Sequence, residues 1–159
     1  TDSYKLGLNL NASKMWLTQD LLPQFQYNGK TNVRLQGASD FIVNSSFNFS
    51  TLEDKKFNAA LSLNYASDKV LTQGAPTNFL NSMIEYNDEI IEKGFVTLDL
   101  VLSKEITEKL SLKLSGMNLL NPSIDQTQMF LNNEFSLSNQ LVSSYRNGSS
   151  FNLSLNYRF

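Results

Sequence analysis

Residues Ser150 to Phe159, S-F-N-L-S-L-N-Y-R-F, alternate without a break. Phe151, Leu153, Leu155, Tyr157 and Phe159 are apolar or aromatic; Ser150, Asn152, Ser154, Asn156 and Arg158 are polar. Successive side chains of a strand point to opposite faces, so this stretch is a strand with one greasy and one wet side. A tilted strand of roughly 9–11 residues crosses a bilayer, and this one has that length. A strand of a soluble sandwich would alternate in the same way, so the choice rests on the rest of the chain.

The same pattern recurs five times. Tyr4, Leu6, Leu8, Leu10, Ala12 and Trp16 share one register, with Lys14 the exception. Phe41, Val43, Phe47 and Phe49 form a second apolar set, interrupted by Ser45. Phe57, Ala59, Leu61, Leu63 and Tyr65 form a third; Val96, Leu98, Leu100 and Leu102 a fourth; Leu110, Leu112 and Leu114 a fifth. The alternation predicts strands at about 4–16, 40–52, 57–66, 94–104, 109–118 and 149–159. Their connections run long, short, long, short, long. The short ones are the charged turns Glu53–Lys56 and Lys104–Lys109. The long ones carry turn signals at Pro23, Asn28-Gly29, Gly74-Ala75-Pro76 and Asn121-Pro122. Ser82 to Glu92 has weak helical spacing, which suits a short surface helix or an ordered loop.

Segregation of loop length is the discriminating feature. Outer-membrane barrels have short periplasmic turns and long extracellular loops. With Phe159 at the periplasmic rim, both short turns fall on that side and all three long loops fall outside. The expected fold is therefore all-β: a transmembrane antiparallel β-barrel. Six strands cannot close a lipid-spanning barrel, which takes about eight or more. An open edge in lipid would strand unpaired backbone groups. The whole of 1–159 then reads as the C-terminal part of a longer barrel. Its start at Thr1, with neither Met nor a signal peptide, fits a processed chain or a fragment.

Composition removes most chemistry. The 159 residues include no histidine and no cysteine. Imidazole-based triads, thiolate nucleophiles and ordinary zinc sites are excluded, so no catalytic, cofactor or metal residues are assigned. Lys and Arg number 13 against 15 acids, a net charge of −2, which offers nucleic acid no basic surface. Asp88, Glu89 and Glu92 match no calcium-loop spacing and read as a solvated acidic loop. Trp16, Phe25 and Tyr27 read as rim or loop-packing aromatics. By the alternation, Asn48, Asn64, Asp99, Ser111, Lys113 and Asn152 should face the lumen, because a lysine on the lipid face costs roughly 2–4 kcal/mol at the midplane.

Four stretches together resemble the C-terminal end of TonB-dependent outer-membrane receptors of the kind common in the Bacteroidetes. They are Arg34 to Asn44 (R-L-Q-G-A-S-D-F-I-V-N), Leu61 to Gly74 (L-S-L-N-Y-A-S-D-K-V-L-T-Q-G), Leu98-Asp99 with Leu114 to Pro122 (L-S-G-M-N-L-L-N-P), and Tyr145-Arg146-Asn147-Gly148 leading to the terminal Phe159. The resemblance covers about residues 33–159. It implies the last six strands of a barrel of about 22, in an active transporter importing a scarce nutrient (siderophore, vitamin, peptide or glycan), driven by TonB. It implies that Leu153, Leu155, Tyr157 and Phe159 form the signal read by the barrel-assembly machinery. The implied partners are the remaining strands and the plug domain, neither of which is in this chain, the TonB complex acting through that plug, and a surface lipoprotein. The implied location is the outer membrane of a Gram-negative bacterium. The alternative is the terminal segment of another outer-membrane barrel, a porin-like channel or a secretion-system scaffold. A barrel hydrolase is a third reading, which the lack of histidine argues against.

Overall fold

The computed structural model describes residues 4–26, 30–51, 56–74, 76–78, 85–86, 88–131 and 137–159. In chain order the strands are β1 (Tyr4–Lys14), β2 (Thr18–Asp20), β3 (Asn32–Arg34), β4 (Phe41–Thr51), β5 (Phe57–Ala66), β6 (Lys69–Thr72), β7 (Pro76–Asn78), β8 (Glu85–Tyr86), β9 (Ile90–Glu92), β10 (Phe95–Glu105), β11 (Leu110–Met117), β12 (Ile124–Leu131), β13 (Leu137–Tyr145) and β14 (Ser150–Tyr157). A single 3-10 turn, Pro23–Phe25, is the helical element among the described residues. The chain is all-β and antiparallel in its strand pairings.

The six long alternating segments form one sheet in the order β1-β4-β5-β10-β11-β14. The sheet is open, with β1 and β14 at its two edges. A second sheet has the order β13-β12-β9-β6. This order repeats the first, read from the other end: β5 leads into β6, β9 into β10, β11 into β12 and β13 into β14. Each of these four strands breaks and continues as the matching strand of an upper tier. The hairpin β2-β3 continues β1-β4 in the same way. The segment between β3 and β4 meets β6 through two isolated bridges, Gln36–Val70 (parallel) and Ser39–Lys69 (antiparallel).

The lower tier has its tight hairpin at the opposite end. Ile106 N–H donates to Leu110 O at 2.8 Å, and the Thr107 hydroxyl accepts from Leu110 N–H at 3.0 Å, a local turn that Ser and Thr favour. Phe57 N–H donates to Thr51 Oγ1 at 2.9 Å beside the β4–β5 connection. Residues 53–55 of the other expected charged turn, and Tyr27, lie outside the described residues.

Among the described residues, the buried side chains belong to the upper tier and its junction: Val33, Val70 and Ile124, with Ser39 and Glu92. In the six long strands only Gly116 is buried. Among the described residues, no other sheet packs against either face of the lower sheet.

Three expectations are corrected here. The helical spacing of 82–92 does not produce a helix where it is described, since Ile90–Glu92 is strand β9 and Glu85–Tyr86 is strand β8. Three residues pairing with distant partners override weak local periodicity. The third long connection is largely ordered as β12 and β13, paired to each other. The first strand also stops at Lys14, short of Trp16.

Candidate functional site

The register carries the pattern across all six long strands. One row on the apolar face runs Leu8, Phe47, Leu61, Leu100, Gly116, Phe151. The next runs Leu6, Phe49, Ala59, Leu102, Leu114, Leu153. A one-residue slip anywhere would flip one strand's side chains to the other face, and no strand has slipped. The face is open: Leu8 is 76% exposed and Phe151 72%. Soluble monomers rarely leave a contiguous apolar area of this extent uncovered.

Aromatic rings gather toward the ends of this face. Tyr4 stacks near Phe49 at 6.2 Å, Phe49 lies 6.1 Å from Phe57, and Tyr157 meets Phe159 edge-on at 5.4 Å. At the other end Phe41 meets Tyr65 at 6.3 Å. Leu153, Leu155 and Tyr157 share the apolar face, opposite Leu114, Leu112 and Leu110. Phe159 lies just beyond β14 and is fully exposed.

The opposite face is polar. One row reads Lys5, Ser50, Asn58, Ser103, Lys113, Ser154; another reads Asn11, Asn44, Asn64, Thr97. Asn48 stands opposite Gly7 and Ala60, Asp99 opposite Ser62, Ser111 opposite Glu105 and Asn156, and Asn152 opposite Ser115. All six residues expected on the polar side occupy this face, but they spread over five strands and converge on no common pocket. Asn64 Nδ2 donates to Thr97 Oγ1 at 3.4 Å. Asp99 Oδ1 accepts the Asn118 backbone N–H at 2.8 Å, so at least one of its oxygens serves the fold.

That bond belongs to the corner where β11 turns into β12. Asn118 and Asn121 both adopt positive φ, 53° and 42°, which asparagine tolerates better than most residues. Asn118 Nδ2 donates to Gly148 O at 2.8 Å, Ser149 Oγ to Asn118 O at 2.8 Å, and Gly148 N–H to Asn121 Oδ1 at 3.0 Å. The corner thus ties the β11–β12 break to the β13–β14 break. Asn-Leu-Leu-Asn-Pro is a turn signal in the sequence, but its cross-strand partners are not legible there.

The acidic stretch is corrected from a solvated loop to a set of ion pairs. Lys30 pairs with Asp88. Arg34 lies 3.5 Å from Glu89 and 3.6 Å from Asp40. Lys69 pairs with Glu92 at 2.8 Å, and Glu92 is only 6% exposed. A carboxylate this buried needs a cation to offset its lost hydration, and Lys69 supplies one. These pairs stitch the segment around β3 and strand β6 to the segment around β9. Among the described residues no three metal-ligating side chains gather. Asp125 sits low in the carboxylate range because Ser144 and Ser123 donate hydrogen bonds to it, at 2.6 and 2.7 Å, with Arg146 adding attraction.

Comparison with protein-family models, with curated proteins and with solved structures returned no match.

Proposed function

We propose that this chain is a length of wall from a transmembrane antiparallel β-barrel, the last six of about 22 strands, in an outer-membrane transporter that imports a scarce nutrient under TonB control. The observation that carries the reading is the continuous, predominantly apolar face across six long strands, exposed on one side, with a polar face opposite. Lipid is the solvent that suits such a face, and a water-filled or plugged lumen suits the other. Two further features support it. Both outer edges of the sheet are long and would pair with further strands, since hydrocarbon cannot hydrogen-bond them. The upper tier extends the wall at the end away from the tight hairpin, where extracellular loops gather ligand.

The barrel reading is tested in the intact protein in outer membranes, using single cysteines in a chain that has none of its own. Leu8→Cys and Leu153→Cys should resist a charged maleimide, while Asn48→Cys and Asn64→Cys should react through the lumen once the plug is removed. Equal reaction of both sets would refute it. Energy coupling is tested by in-cell crosslinking to TonB. A barrel that inserts without contacting TonB is the passive channel or scaffold instead.

A further inference from the structure

The apolar face of the six long strands carries two charged residues, and both are lysines. Lys14 shares that face at the upper end of β1, opposite Phe41. Lys104 shares it at the lower end of β10, opposite Phe57 and Leu112. No acidic residue occupies the face on any of the six strands. Neither lysine appears in the ion pairs among the described residues, which engage Lys30, Arg34, Lys56, Lys69 and Lys93. Lys14 Nζ instead lies 4.9 Å from the centroid of Trp16, which is 78% exposed.

The spacing is informative. Strand β1 has 11 residues. At about 3.4 Å per residue it is about 34 Å long, and at a tilt of about 45° it rises about 24 Å, close to the apolar band of a barrel. Tyr4 marks its lower end, and Lys14 with Trp16 marks its upper end. Long lysine stems lie along apolar surface while their ammonium heads reach polar layers.

We propose that Lys14, backed by Trp16, and Lys104 each bind a phosphate of a lipid headgroup, one in each leaflet, and so fix the depth of this wall in the bilayer. The inference rests on the barrel reading and names the partner of its apolar face. A second protein copy packed on this face would leave cations at both rims without counter-charges. A bilayer supplies a phosphate layer at both heights.

The test uses the intact protein reconstituted into vesicles of phosphatidylglycerol or of phosphatidylcholine, with retained lipid counted by native mass spectrometry. Wild type should retain more phosphatidylglycerol. Lys14→Gln and Lys104→Gln should each weaken that retention about fivefold, the size expected for one lysine at an anionic surface, while Lys14→Arg keeps it. Unchanged retention in both glutamine variants overturns the phosphate sites. Leu8→Cys reports separately on the barrel: its shielding in both lipids with unchanged retention sinks only the phosphate sites, whereas its full labelling in both sinks the barrel reading as well.

Discussion

Asp68 Oδ1 accepts the backbone N–H of Gly94 at 2.7 Å, at the level where β5 gives way to β6 and β9 to β10. Its other oxygen, Oδ2, pairs with Lys93 Nζ at 2.9 Å. The clasp holds two neighbouring strands together where the regular ladder lapses between tiers. Burial works against ionisation of Asp68, but the Gly94 N–H and the Lys93 ammonium outweigh it and hold the carboxyl below its ordinary value. Because the folded value is lowered, the stabilisation is present above the ordinary carboxylate value and is lost as pH falls through the folded one.

Asp68→Asn should therefore destabilise the junction by about 1 kcal/mol near neutral pH, a modest figure because the carboxylate is partly exposed and screened. Urea unfolding of the intact protein in micelles should show the wild-type advantage shrinking as the medium is acidified. A difference that persists undiminished in acid would place its origin elsewhere.

Gly94→Ala should impair folding more severely. A Cβ at this position would lie 2.6 Å from the Ala66 carbonyl oxygen, a backbone atom that cannot swing aside. The cost of such overpacking is roughly 1–3 kcal/mol. Gly7→Ala is the control, since its Cβ would meet Asn48 Cβ at 3.7 Å, ordinary contact. Assembly yield in the outer membrane should drop for the first and hold for the second.

Asp99→Ala should lower stability by about 1–2 kcal/mol, because the Asn118 N–H loses its acceptor. Asp99→Asn keeps an acceptor oxygen and should restore most of it. A thermal melt separates the two. Equal losses would point to a role for the charge itself.

Leu8→Lys should block assembly, at a cost of about 2–4 kcal/mol for a lysine near the bilayer midplane, while Asn9→Lys on the polar face should be tolerated. Heat-modifiable mobility on a gel reads the folded fraction directly. Tolerance of both would contradict a lipid-facing Leu8.

Deleting Phe159 should slow delivery to the outer membrane while leaving the six-stranded pairing intact, since the residue lies past the last strand. Pulse-chase assembly at the wild-type rate would remove Phe159 from any recognition signal.

Alternation with period two determined where the six long strands lie and which side chains share a face, because the pleat ties each odd or even position to one side. Asn48, Asn64, Asp99, Ser111, Lys113 and Asn152 could be sorted to one face from residue type and parity alone. The upper tier was not legible. Strands β2, β3, β6 and β9 have three or four residues each, too few to carry a period, and they form by pairing with partners far along the chain; β12 and β13 are longer but lack a clean alternation, and their register shifts between Gln126 and Thr127. Tertiary structure alone decided that Glu92 is buried against Lys69 and not solvated, that Asp99 braces the Asn118 turn, and that Asp68 clasps Gly94. Each of these depends on an approach between distant residues that local spacing does not encode. The chain by itself wrote two faces; only the fold set one tier upon another and joined them.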